Sequence, residues 1–401
     1  MRKKRVLAMA LLLAALTAGA ESFRFRYENG EKYRLVTEVS EDVYYNGQLS
    51  HRADILNKIA VETLAVREGS GLLGATFLTS ERAYGVNTSY ALGEDYESMF
   101  WRDARGRYDI GSQYFMPVVR DVPVFPEGEL SPGDSWSAPG EEAHDLRRSF
   151  GIQQPVRFPI TVNYTYRGRE QRDGRSLDVI DIRYTVFHRL PSLQGRIGVV
   201  PVRITGQSEQ TYYWDDERGQ PHSYREQFDF IFQLSNGDAV EYVGVAEGRM
   251  LESAPLDREK VAEEIGRELE DRGVEDTTVR PDEEGVTVTL QDIQFAPNSA
   301  ELRNSEKEKL QAIGSILRRY RDRDILITGH TARVPGYTDE DHQSLSEARA
   351  AAVADYLLGI GALRETQATT RGKGYREPVA DNDSEAGRRQ NRRVEITILE
   401  N

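Results

Sequence analysis

Six histidines, several arginine-dense stretches and no cysteine set the chemical repertoire of this 401-residue chain. His51, His144, His188, His222, His330 and His342 never fall into an H-x-x-x-H spacing, so no helix-borne pair of metal ligands is encoded. There is no G-x-S-x-G turn and no H-E-x-x-H. Without cysteine, thiol catalysis, disulfides and thiolate metal sites are excluded. Gly372-Lys373-Gly374 has the composition of a phosphate loop, but it does not open a helix after a strand. The expectation is a non-enzymatic protein with no cofactor and no metal. Charge recognition remains. Arg388, Arg392 and Arg393 form a basic group before the last strand, where ordering a loop is the better reading. Arg349 lies one turn into a predicted helix. It is suited either to a binding role or to an ion pair with an acid such as Glu395.

The elements that must position these residues alternate strand and helix. Val286 to Leu290 alternates with period two, and Ser305 to Tyr320 is amphipathic, with Leu310, Ile313, Leu317 and Tyr320 on one face. Ile325 to Thr328 reads as a short buried strand. Ser344-Leu345-Ser346-Glu347 reads as a capping box opening a helix that runs through Leu358. Gln367 to Arg371 and Val394 to Leu399 supply two more strands. The order β-α-β-α-β-β predicts an α+β domain over 276–401, a mixed sheet with helices on one face. Asp257 to Arg272 predicts a helix with Val261, Ile265 and Leu269 at four-residue spacing. It either links the halves, over 256–275, or opens the last domain.

Five motifs in order over about 110 residues give this region a specific resemblance. Phe295-Ala296-Pro297-Asn298-Ser299-Ala300-Glu301-Leu302 looks like an F-x-x-x-S-x-x-L opening, and Ile327-Thr328-Gly329-His330-Thr331 like a strand ending in G-H-T. Leu345 to Ala350 matches L-S-x-x-R-A. Gly372 and Gly374 with Pro378 match G-x-G with a later proline. Asn382 and Gly387 to Glu395, through Asn391 and Arg392, match the closing N-x-x-x-x-G-R-x-x-N-R-R-V-E. The region resembles the peptidoglycan-associating OmpA-like domains. The resemblance implies a site for the diamino acid of a peptidoglycan stem peptide. In that site an aspartate directly after G-H-T pairs with the amino group, and the arginine of L-S-x-x-R-A forks onto a carboxylate. Here Arg349 is present, but Ala332 occupies the aspartate position, as in some spirochaete relatives. The loop to Arg349 is also about two residues longer than the pattern, and His342 stands where asparagine is usual. Asp339 or Asp341, displaced by the longer loop, could supply the missing carboxylate. The alternative is a site that no longer binds peptidoglycan. Phe295, Gly329, His330, Leu345, Asn391 and Arg392 carry structural roles by the same resemblance.

From 21 to 255 the chain reads as β-structure: short alternating runs such as Phe158 to Tyr166, with turn signals such as Asn46-Gly47. A sandwich-like all-β region or a strongly bent sheet is expected. A Pro/Gly-rich stretch from Val122 to Gly140 motivates a division into 21–143 and 144–255. The dense aromatics are read as core rather than as a sugar platform. A protein-binding module is the second functional reading for this region, with the whole chain then an envelope scaffold. Residues 1–20 read as a signal peptide: a basic start, an apolar run from Val6 to Leu16, and Ala18-Gly19-Ala20 before Glu21. An exported, periplasmic protein is expected, in solution or at the outer membrane, with no transmembrane span after cleavage. With 38% hydrophobic and 29% charged residues the chain has enough apolar content to fold. Its net charge of −14, without a clustered basic face, argues against nucleic acid. The expected partners are peptidoglycan or an envelope protein.

Overall fold

The computed structural model describes residues 21–83, 89–190, 198–252, 255–291, 293, 295 and 300–400. The expected signal peptide, with Ala18-Gly19-Ala20, lies outside the described residues, as does Ala296 to Ser299 of the opening motif. No helix among the described residues is long and apolar enough to cross a membrane.

The first half is built from β1 (Lys32–Tyr45), β2 (Gln48–Arg67), β3 (Ser70–Ala83), β4 (Tyr90–Arg102), β5 (Tyr108–Ile110), β6 (Val119–Arg120) and β7 (Ser135–His144). After one helical turn, α1 (Arg147–Phe150), come β8 (Val156–Arg172), β9 (Arg175–Arg189), β10 (Pro201–Asp215), β11 (Gln220–Leu234) and β12 (Ala239–Glu252). Tight turns dictate how they pair. Asn46 and Gly47 both have positive φ, 50° and 76°, the two-residue turn whose twist matches that of the flanking strands. Strands joined this way must be antiparallel neighbours. Strands β7 to β12 accordingly pair in chain order, β12 pairs with β1, and β1 to β5 continue the run.

Of the two expected forms, a sandwich-like region or a strongly bent sheet, the pairings give one continuous sheet. The division near Ala143 falls inside β7, and the β12–β1 pairing joins the two expected subdomains into one β module. Curvature has local causes. A Cβ on Gly244 would lie 2.5 Å from the Phe228 ring, and one on Gly248 would lie 2.1 Å from the Tyr224 ring. Each glycine lets the aromatic of its cross-strand partner fold flat over the backbone.

Burial in β8 alternates strictly, with Phe158, Ile160, Val162, Tyr164 and Tyr166 inward. Residues 21–27 and the Pro/Gly-rich stretch cover that face. Trp214 packs edge-on against Phe25 and Phe125 at centroid distances of 4.9 and 4.8 Å, and Trp136 Nε1 donates to the Val124 carbonyl at 2.8 Å. Of the dense aromatics, Tyr164, Tyr166, Tyr212, Trp214 and Phe232 are core, whereas Tyr213, Phe228 and Phe230 are only half-buried.

The second half runs α2 (Arg258–Asp271), β13 (Thr277–Pro281), β14 (Gly285–Gln291), α3 (Asn304–Leu317), β15 (Ile325–Gly329), α4 (Asp339–Gly359), β16 (Ala368–Gly372), α5 (Glu385–Asn391) and β17 (Arg393–Leu399). The sheet order is β13-β14-β17-β15-β16, with β15 and β16 parallel. The mixed sheet matches the expectation, with β13 and α5 added. Helix α2 is capped by Asp257, which accepts from Lys260 N. Its Ala262, Ile265 and Leu269 share one core with α3, α4 and the sheet. It opens the last domain and does not act as a free linker.

The two halves join edge to edge. Strand β16 pairs in parallel with β4, Thr369 opposite Tyr90 and Thr370 opposite Ala91. Beneath this seam, Asp324 ahead of β15 receives Arg34 of β1 at 2.8 Å and Lys58 of β2 at 3.0 Å. These three side chains are at most 11% exposed.

Candidate functional site

The site expected from the sequence lies where the end of β15 meets α4 and the loop after β16. Gly329 is required there by contact: a Cβ would lie 2.1 Å from the Ser346 carbonyl oxygen of α4. Ser346, buried in α4, accepts from Gly374 N at 2.9 Å and donates to Gln343 O at 2.7 Å, so it ties the G-x-G turn to the helix. We expect Gly329→Ala to force strand and helix apart and to cost about 1–3 kcal/mol of stability. Denaturant unfolding checks this, and an unchanged midpoint would show that the contact yields freely.

His330 is buried, with its Nε2 3.5 Å from the Glu395 carboxylate. Burial pushes the His330 imidazole below its usual range, against the pull of Glu395. Burial would raise the Glu395 carboxyl, but His330 and Arg393, whose Nε is at 2.9 Å, outweigh it and hold it at about 2. The folded value lies below the ordinary 4.5, so Glu395 stabilises the fold above that pH, and the contribution is lost as pH falls from 4.5 towards 2. The difference in unfolding midpoint between this chain and Glu395→Gln should therefore shrink across that window. A difference that stays constant would contradict the assignment.

The cap of helix α4 lies six residues before the one read at Ser344. Thr338 is the N-cap, accepting from Asp341 N, while the Asp341 carboxylate accepts from Thr338 N at 2.8 Å. Asp341 is therefore occupied as a cap, and backbone and hydroxyl bonds from Thr338 lower its carboxyl. Asp339 accepts from the Tyr375 hydroxyl at 2.6 Å. They precede Arg349 by eight and ten residues, about 12 and 15 Å along the helix axis. His342 is buried and lies 3.2 Å from Thr331 Oγ1 and 3.5 Å from Val334 N, its ring edge-on to Tyr375 at 5.0 Å. It fastens the lengthened loop to the helix. Ala332 is 2% exposed in that loop, between Thr331 N, which donates to Gly374 O, and Arg333 N, which donates to Asn382 Oδ1.

Arg349 has a different environment. Its guanidinium lies over the Phe295 ring at 4.9 Å, and no acid pairs with it among the described residues. Its Nε is buried without a hydrogen-bond partner. Burial, and then the nearby Arg392 charge, pushes Arg349 down from its ordinary value. The internal pairing with Glu395 that the sequence allowed is not formed, because Glu395 is taken by Arg393, His330 and Arg280. Arg392 pairs with Glu385 at 2.9 Å. Asn391 accepts from Val379 N and Ala380 N and donates to Ala380 O. Phe295 bridges Leu302, closing the opening motif, and Leu345 is half-buried on α4. Sequence reasoning missed Ser346 as the tie to the G-x-G turn, Tyr375, and the Arg34–Asp324–Lys58 group. The last joins residues almost 300 positions apart and leaves no local pattern.

Residues 294–392 match the model of the OmpA family. The C-terminal domain belongs to the OmpA family. The OmpA domain is similar to part of the sodium-type flagellar protein MotY of Vibrio parahaemolyticus, 34% identical over 26% of this chain and 36% of that protein. It is also similar to the solved cell wall anchor of the T6SS from Pseudomonas aeruginosa: 34% identity, 34% of this chain and 96% of that one, TM-score 0.30. A solved outer membrane protein from Borrelia burgdorferi matches at 32% identity over 31% of this chain and 96% of that one, TM-score 0.25. The matched segment spans 36% and 30% of two curated relatives, MotY and the outer membrane porin F of Pseudomonas aeruginosa.

Proposed function

We propose that this is a non-enzymatic, exported envelope protein whose OmpA domain associates with peptidoglycan through a one-sided site. Arg349 grips a carboxylate of the stem peptide, and nothing in the Ala332 loop grips its ammonium. The observation that carries this reading is the unpaired Arg349 guanidinium, buried at its Nε and stacked on Phe295. An inward cation without an acid is costly unless a ligand supplies one. At the other half, Ala332 is flanked by Arg333, whose guanidinium lies over Tyr375 at 5.5 Å, so the local field opposes an ammonium. Asp339 and Asp341 are engaged with Tyr375 and Thr338, which supports loss of that half over its reconstruction. Sedimentation of the purified chain with insoluble peptidoglycan tests the proposal. A weak, salt-sensitive fraction should pellet. A protein that stays wholly in the supernatant would leave the scaffold reading, in which the β module meets a protein partner.

A further inference from the structure

The bent sheet lines a partly open cavity that the OmpA site does not use. It has a volume of about 310 Å3 and lies between β1–β4, β10–β12 and the segment from Met116 to Pro123. That is at the low end of the roughly 300–1,000 Å3 of small-molecule sites. Much of its wall is apolar, including Val61, Leu73, Ala75, Phe77 and Phe100.

Arg102, at the end of β4, borders this space. Its Nε donates to the Tyr27 hydroxyl at 2.8 Å and its Nη2 to the Tyr33 hydroxyl at 3.4 Å, and the guanidinium stacks on Phe25 at 4.0 Å. The charge neighbours that act on it are the phenols of Tyr27, Tyr33 and Tyr108, and no carboxylate pairs with it among the described residues. A guanidinium has five N–H donors, and the phenols take two. Arg102 is half-buried and lines this cavity together with Leu73, Ala75, Phe77 and Phe100. Lys58 also borders the cavity, but its ammonium is 3.0 Å from Asp324. Glu226 stands in the same wall, accepting from Ser208 Oγ at 2.6 Å and Gln210 Nε2 at 3.3 Å. An acid there disfavours a dianion and leaves room for one negative charge, next to Arg102.

We propose that this cavity is a binding site for a small monocarboxylate with an apolar body. The carboxylate forks onto Arg102, and the hydrocarbon lies along Leu73, Ala75, Phe77 and Phe100. Calorimetric titration of the full chain with octanoate and with octanol, which has the same tail but no charge, tests it. Octanoate should bind at least about tenfold more tightly than octanol, since a charge-assisted fork adds roughly 1.5–3 kcal/mol. Arg102→Met should remove that preference and Arg102→Lys should retain part of it. Ala75→Leu, which fills the cavity and leaves the charge, should weaken both ligands. Thermal unfolding of each variant confirms that it is folded. Equal binding of octanoate and octanol, no binding of octanoate, or an Arg102→Met variant that keeps the preference would each overturn the proposal.

Discussion

Asp324→Asn should weaken the junction between the β module and the OmpA domain by about 3–5 kcal/mol, the cost of removing one partner from a buried ion group. The carboxylate meets Arg34 and Lys58 together, and Arg34 Nη2 donates to the Asp322 carbonyl while Lys58 Nζ reaches Gln367 O at 3.3 Å. Without Asp324, two buried cations face each other with only carbonyl and hydroxyl oxygens for compensation. Both cations belong to the β module and the acid to the OmpA domain, so the cost falls on the contact between them. Scanning calorimetry should show one transition in the native chain and two in the variant. Burial already pushes the Lys58 amine below its usual range, against the pull of Asp324. In Asp324→Asn it falls further, and a base depressed in the fold favours the fold once it is deprotonated. The variant should therefore regain stability as pH rises, whereas an identical single transition at every pH would refute this view of the junction.

Arg349→Ala should lower affinity for a diaminopimelate-type stem peptide by roughly 30-fold to several thousandfold, as loss of one partner of a desolvated charge pair costs about 2–5 kcal/mol. Ala332→Asp should act in the opposite direction at a price. Position 332 is 2% exposed, so a carboxylate there is desolvated and should cost the ligand-free protein about 1–3 kcal/mol. An ammonium ligand relieves that cost and adds a charge-assisted bond, giving roughly a 10- to 150-fold gain in affinity. Thermal midpoints with and without the peptide separate the two effects: the variant should start lower and gain more on ligand addition. A variant with unchanged affinity would mean that the lengthened loop no longer aims position 332 at the ligand.

The OmpA domain was legible because its signals are local. Ile265 and Leu269 face the core as the helical spacing demands, and the alternation from Val286 to Leu290 places valines and leucine inward. The start of α4 was misread because Ser344 to Glu347 and Thr338 to Asp341 both fit a capping box. The true cap wins since the lengthened loop, pinned by His342, turns into the helix six residues earlier. In the β module, alternation and Asn46-Gly47 revealed strands and hairpins. That β12 closes onto β1 is a pairing across some 200 residues, which no spacing encodes. Arg349 and Glu395 had the right types to pair, and only the positions of Arg393, His330 and Arg280 show that the acid is taken.

The central claim, a site that keeps its carboxylate half and has lost its ammonium half, is tested most directly by altering the ligand. A purified stem peptide can be titrated calorimetrically in three forms: native, amidated at the free carboxylate of its diamino acid, and acetylated at the free amino group. Amidation should abolish binding by removing the partner of Arg349, and acetylation should leave it nearly unchanged. If acetylation abolishes binding instead, an acid such as Asp339 or Asp341 has rebuilt the clamp, and the one-sided site is wrong.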